Sequence, residues 1–312
     1  MKIITLEKWE DYTRLIREEF SGNHWIFRGQ SDQNWPLMCG LQRLYTRRIG
    51  EIEKELLRKY KNGISLHDQA KLPEDSLGLL AHMQHYGGPT RLLDFTESAY
   101  IAAFFAYESI PKFISFNDSD CIAIWILNSS WLKVETHNKL LNDNEFLSKL
   151  KERTNIDYEV YKTRRQALMD AGTEDQVKES ERNFFVVLEE KIFKHFGDFF
   201  IDSTHKTGII YPVKPSTLTR RFHIQQGVFL CSSCLDSDFM ETLSGYNGNN
   251  DNIIKVLLPK SQRELALRDS YRTNITREHL FPGIDGFAQS ILNSIQLPEE
   301  MNASRANTLL TE

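Results

Sequence analysis

The sequence predicts an α+β fold built on a mixed central sheet with a helical insertion, and three observations carry that reading. Short runs rich in β-branched and aromatic residues, at 25–30, 90–96, 121–127, 208–213, 228–231 and 253–258, read as strands. Stretches of helical length separate them, but at unequal spacing, so no regular alternation of strand and helix is indicated. Residues 140–201 form one long charged, helix-favouring stretch between two strands, which predicts several helices inserted as a subdomain. A single domain over residues 1–299 follows, with the insertion at about 140–201 and a flexible tail over 300–312.

Taken in order, Leu6, Trp9, Tyr12, Leu15, Ile16 and Phe20 have the spacing of an amphipathic helix, which Ser21-Gly22-Asn23 ends. Trp25–Gln30 is a short strand carrying Arg28 near its end. Residues 31–40 form a polar loop around Trp35-Pro36. Residues 41–60 read as one charged helix whose Arg43, Arg47, Arg48, Arg58 and Lys59 make a basic face. The helix over 76–85 takes Ser76 as its N-cap. Gly87-Gly88-Pro89 stops it, because proline holds the preceding residue out of the helical region. Residues 90–96 then form a buried strand with polar ends, and 99–107, apolar on nearly every side, a helix packed under the sheet. The strand at 208–213 is closed by Pro212 and Pro215, and 220–231 starts polar and ends as a strand. Residues 247–252 are a loop by composition, and 262–270 form a helix after the last strand.

The 312 residues are 40% hydrophobic and 26% charged with a formal net charge of −5, the profile of an ordinary globular protein. Bulk attraction to nucleic acid is excluded, so such a partner would need a local basic patch. Four cysteines are too sparse for a disulfide framework and fit a reducing compartment. Charge among the first eight residues leaves no apolar leader region, and the longest apolar run is far short of a membrane span. A cytoplasmic protein without membrane contact is expected.

The densest chemistry lies between His82 and Thr96, where histidines, tyrosines, Arg91, Asp94 and two threonines surround the glycine turn. A bland reading pairs Arg91 with Asp94. Arg28 can grip a phosphate with its forked guanidinium, and Gly29 lets a ligand approach the backbone; otherwise Arg28 pairs with an interior carboxylate such as Asp94. His82 and His85 share one helix face, where a backbone-bonded helix-end histidine is commoner than a metal pair. Cys231 and Cys234 have metal-pair spacing, yet nothing completes four ligands, so no metal is expected. Neither a nucleophile elbow nor a phosphate-cradling GxxxxGK[ST] loop occurs.

Phe27-Arg28-Gly29-Gln30, Gln84-His85-Tyr86-Gly87 and Pro89 to Thr96 closely resemble the bacterial FRG-domain family, which takes its name from the first tripeptide. The likeness runs from about residue 25 to 107. Gln225-Gln226-Gly227-Val228-Phe229 and Phe281-Pro282-Gly283-Ile284-Asp285-Gly286 are similar to later segments of such proteins. A second, fold-level resemblance is to ADP-ribosyltransferases, with their split sheet. Arg28, then 90–96 with its helix, then Gln225-Gln226 before the 228–231 strand, follow the order of that family's elements. The resemblance implies NAD as substrate, with no metal. Arg28 would hold the pyrophosphate beside Gly29 and Gln30. Thr90 and Thr96 would support the nicotinamide ribose, flanked by His85, Tyr86 and Arg91, and Gln225 or Gln226 would face the acceptor. No glutamate stands where that family's catalytic carboxylate belongs, so Asp94 or Glu97 would have to steady the oxocarbenium charge.

The resemblance to ADP-ribosyltransferases implies a toxin or phage-defence effector of that type, with Arg28, Asp94 and Gln226 as its catalytic set. Its acceptor would be an intracellular protein or nucleic acid, and an antitoxin protein would accompany a toxin. The basic face over 43–59 and Arg220-Arg221 favour a phosphate-bearing partner such as RNA or DNA. The alternative is a non-catalytic nucleotide- or partner-binding module; a third reading is a hydrolase or nuclease using His85 and Asp94.

Overall fold

The computed structural model describes residues 1–22, 24–67, 73–110, 116–117, 119–201, 208–215 and 219–296, so the expected tail lies outside the described residues. Along the chain run β1 (Lys2–Thr5), α1 (Trp9–Glu19), β2 (Trp25–Gln30), α2 (Gly40–Leu44), α3 (Ile49–Gly63), α4 (Ser76–His85), β3 (Leu92–Thr96), α5 (Ala99–Glu108) and β4 (Cys121–Asn128). There follow α6 (Ser129–Leu141), α7 (Asn144–Thr154), α8 (Tyr158–Ala171), α9 (Glu174–Lys194), β5 (Ile210–Val213), α10 (Arg220–Ile224) and β6 (Gly227–Ser232). The last elements are α11 (Phe239–Ser244), α12 (Asn249–Asn252), β7 (Ile253–Pro259), α13 (Arg263–Arg272), α14 (Arg277–Leu280) and α15 (Ile284–Gln296).

The strands form one open mixed sheet of seven in the order β1-β7-β4-β2-β3-β6-β5. Only the edge pair β1–β7 is parallel; every other neighbour is antiparallel. The fold is therefore α+β with a mixed sheet, as the sequence predicts. The sheet is continuous and not the split sheet expected, but it carries a seam between β2 and β3. Strands β2 and β4 pair along their length, from Trp25↔Asn128 to Gln30↔Ala123, whereas β2 and β3 meet only at Phe27↔Thr96. Side chains alternate between faces along a strand, so that single register point places Phe27, Thr96 and Asp94 on one face.

Two separate cores cover that face. Over β2, β4 and β7, Trp9, Tyr12 and Ile16 of α1 join Ala102 and Phe104 of α5 against Phe27, Ile122, Ile124 and Val256. Over β3, β6 and β5, the insertion supplies Phe146, Leu188 and Ile192, which join Leu80 and Met83 of α4 against Leu92, Phe229 and Tyr211. On the opposite face a third core unites both halves of the sheet, with Ile26, Trp125, Phe95 and Leu230 packed under Leu132 and Phe239. The seam thus lies bare between two helix layers on one side and sealed on the other.

Local chemistry explains where boundaries depart from the sequence pattern. The single helix expected over 41–60 is two helices, because the chain turns at Arg48, which adopts left-handed backbone (φ 53°) as the N-cap of α3. Asp75, not Ser76, caps α4: its Oδ1 accepts from Gly78 N at 2.7 Å. Gly87 ends α4 with φ +86°, and the Gly88 amide closes the turn onto the Met83 carbonyl oxygen at 2.9 Å, an arrangement a β-carbon at Gly87 would strain. Strand β3 begins at Leu92, two residues late, because Thr90 and Arg91 bond to the α2–α3 region instead of the sheet. The insertion starts at Ser129, directly after β4. Pro212 lies within β5, which is tolerable because β5 is an edge strand. Strand β1, and the helices α12 and α15, have no counterpart in the sequence reading.

Candidate functional site

The bare seam opens into a cleft of about 430 Å³ between α4 and α5. Its floor is Phe27, Asp94, Thr96, Gly227 and Phe229, and its walls include His85, Phe105, Arg221 and Phe281. Six residues singled out from the sequence converge here: Arg28, Gly29, His85, Asp94, Thr96 and Gln225.

Arg28 stands where β2 and β3 part. Its Nη1 donates to the Asp94 carbonyl oxygen at 2.6 Å, taking over a main-chain acceptor that the splayed strand leaves unpaired. Arg28 therefore bonds the Asp94 main chain and makes no ion pair with its carboxylate within 4.0 Å. The Arg28 Nε is enclosed and has no hydrogen-bond partner. Burial pulls the guanidinium pKa down, against the pull of the Asp94 charge. Gly29 has a packing reason first: a β-carbon there would lie 1.9 Å from the Ala102 carbonyl oxygen, so its bareness seats α5 on the sheet.

Asp94 is exposed on the cleft floor and held in orientation by a relay. Gln84 Nε2 donates to Asp94 Oδ1 at 2.8 Å, and the Gln84 Oε1 accepts from the Thr90 hydroxyl. Thr90 Oγ1 in turn accepts from the Leu92 amide at 3.1 Å. Thr90 is thus buried behind the cleft, acting on Asp94 through Gln84. Thr96 donates to the Gln225 carbonyl oxygen at 2.7 Å and accepts from the Ser98 amide at 3.0 Å, stitching β3 to the turn before β6. The Gln225 side chain donates to the Leu280 carbonyl oxygen at 3.0 Å, fixing the wall that carries Phe281. Burial, then the positive charge of Arg221, lowers the His85 pKa, which favours its neutral form.

The remaining candidates stand outside the lining. Arg91 does not pair with Asp94; it is buried in an ion pair with Glu53, and its Nη1 donates to the Phe200 and Ser232 carbonyl oxygens at 2.6 and 3.1 Å. Gln30 is committed to Trp125 Nε1 at 2.7 Å and the Pro36 carbonyl at 3.1 Å. Tyr86 is exposed beside His85, its ring edge-on at 4.9 Å. Gln226 occupies a left-handed turn (φ 48°) and gives its carbonyl oxygen to the Glu97 amide at 2.9 Å, while the Glu97 carboxylate is engaged by Lys214 at 2.6 Å. Of the basic face, Arg48 pairs with Glu51, and Arg58 and Lys59 with Glu55. Cys234 Sγ accepts from Ser237 at 3.1 Å, and burial pushes the Cys231 thiol up to about 12. No group of three or more metal-ligating side chains occurs among the described residues, and no described helix is long and apolar enough to cross a membrane.

Sequence reasoning passed over Gln84, Phe222 and Phe281 as site residues, and read Arg221 only within the Arg220-Arg221 pair that favours a phosphate-bearing partner. Arg220 and Arg221 look alike in sequence; only the five-residue α10 decides which of them lines the cleft, and so short a helix has no periodicity to read.

Residues 23–114 match the family model of the FRG domain. That segment contains β2, α4, β3 and α5, and with them Arg28, His85 and Asp94 of the cleft. Comparison with curated proteins and with solved structures gives no match.

Proposed function

We propose that the cleft of this FRG-domain chain binds NAD and cleaves its nicotinamide–ribose bond, as an ADP-ribosyltransferase does. One observation carries the reading: a cation that can grip phosphate, a pre-oriented carboxylate and aromatic faces line one cleft, at Arg28, Asp94, Phe229 and Phe281. Arg28, which lines the cleft with its Nη1 fixed by the Asp94 carbonyl oxygen, serves the pyrophosphate. The apolar rings receive the nicotinamide. As the C1′–N bond breaks, its electron pair leaves with nicotinamide, and the positive charge grows on the ribose C1′–O unit. Asp94, held by Gln84, faces that charge and stabilises it more than it stabilises the ground state. An acceptor oxygen then bonds to C1′ and releases its proton to His85, a base on the wall held toward neutrality. A macromolecular acceptor, and with it a toxin or defence role, belongs to the same proposal.

The test is nicotinamide release from NAD, followed chromatographically. Asp94→Asn is expected to lower the rate by about a hundredfold while NAD affinity changes less than about threefold. If the wild-type protein releases no nicotinamide, with or without cell lysate as acceptor, the reading fails. A specific observation favours the second reading, a nucleotide-binding module without chemistry: among the described residues no glutamate lines the cleft, and Gln226 stands outside it. Saturable NAD binding without turnover would establish that alternative.

A further inference from the structure

We infer that Arg221 is a second anion anchor facing Arg28, so that the cleft selects ligands carrying two adjacent phosphates over those carrying one. The inference rests on the reading of the cleft as a phosphate-binding site, and not on NAD cleavage.

Arg221 belongs to α10 and lines the cleft beside Phe281, whose ring also packs edge-on against Phe105 of α5. Its guanidinium lies over the Phe281 ring at 4.2 Å, which presents one of its faces to an aromatic surface. No hydrogen bond or ion pair of its side chain is found among the described residues. An arginine held flat on a ring, with its donors unspent, is pre-organised for a bidentate anion. Arg277, on the same ring at 4.5 Å, differs: its Nη1 is committed to Glu108 at 2.6 Å, so it steadies Phe281 and is not available in the same way.

The charges within the lining favour the same conclusion. Among the described residues that line it, Arg28 and Arg221 are the two full cations and Asp94 is the one carboxylate, with Asp285 also within electrostatic range of Arg221. Asp94 lies within electrostatic range of both arginines, with Arg28 bonded to its carbonyl oxygen and Gln84 bonded to its Oδ1. A monophosphate on Arg28 would leave Arg221 unsatisfied in a half-buried wall. A diphosphate spans both, and planar groups at either end of it find Phe222, Phe229 and Phe281.

The experiment is calorimetric titration of the full chain with ADP and with AMP, comparing wild type, Arg221→Gln, Arg221→Lys and, as a charge-matched control, Arg220→Gln at the exposed neighbour. Wild type is expected to bind ADP at least about tenfold more tightly than AMP, the increment of one charge-assisted bidentate contact. Arg221→Gln should lose about tenfold on ADP and less than about threefold on AMP, Arg221→Lys should fall between, and Arg220→Gln should match wild type. Thermal unfolding of each variant verifies that the fold is intact. Equal losses on both nucleotides, no loss on either, or failure of the wild type to bind ADP overturns the inference. If ADP binding depends on Arg221 as stated but NAD releases no nicotinamide, the anchor stands and NAD cleavage falls.

Discussion

At Gly29 the backbone of α5 occupies the space a side chain would need. A β-carbon 1.9 Å from the Ala102 carbonyl oxygen and 2.9 Å from the Ala106 methyl cannot be absorbed by a rotamer change. Gly29→Ala is therefore expected to cost about 3 kcal/mol in denaturant unfolding, and a loss below about 1 kcal/mol would mean that α5 slides freely on the sheet. The other costly single residue is Glu53, wholly buried against Arg91. Glu53→Gln leaves the arginine charge uncompensated and is expected to cost about 3–5 kcal/mol in the same measurement. Asp94→Asn, on the exposed floor, should change stability by less than about 0.5 kcal/mol, separating its effect on chemistry from any on folding. The tripeptide Phe27-Arg28-Gly29 was legible as special, but its three residues serve three ends: core, cleft and helix seat. Sequence attributed Gly29 to ligand approach because an invading helix backbone leaves no trace in the local pattern. It paired Arg91 with Asp94 because neighbours in sequence were weighed and Glu53, from α3, was not.

Among the elements, the strands were read closely. Trp25–Gln30 is the same in both readings, and Cys121–Asn128 and Ile253–Pro259 differ from expectation by one residue, because buried apolar runs report directly on the sheet interior. The four-residue β1, exposed at an edge in all but Ile4, carried too little pattern to see. The helical insertion was visible as composition but not as its separate helices α6–α9, whose breaks depend on caps such as Asp143, Asp157 and Thr173. How it grips the sheet has a pH consequence. His137 of α6 is buried, bonds Tyr211 Oη of β5 at 2.7 Å and stacks on Phe185 of α9 at 5.0 Å. Burial, helped by Lys133, lowers its pKa from 6.5 to about 4. The folded state therefore stays unprotonated through a range in which the unfolded chain takes up a proton. Its stabilising effect is complete above pH 6.5 and fades as the pH falls toward 4. The total is about 3 kcal/mol, at about 1.4 kcal/mol per pH unit. Unfolding followed between pH 7 and 4.5 should show that slope, and His137→Gln should flatten it relative to wild type; parallel curves would count against the assignment.

For the molecule as a whole, the stretch that matches the family model and the folding unit do not coincide. Residues 23–114 match the FRG domain, yet within them β2 and β3 touch only at Phe27↔Thr96. The ladder partner of β2 is β4, and that of β3 is β6, both beyond residue 114. A fragment of 23–114 is thus expected to show no cooperative thermal transition, whereas the full chain shows one; a sharp transition in the fragment would contradict the topology. The same arrangement bears on biosynthesis. Lys2 pairs with Ile254, so β1 waits for β7, the last strand of this sheet in chain order, and β4 too lacks its β7 neighbour until then. A nascent chain of this protein carries open hydrogen-bonding edges until β7 emerges, with the apolar faces of β4 and α5 already made. Its yield in the cell then depends on what shelters those edges during synthesis as much as on the stability of the finished fold.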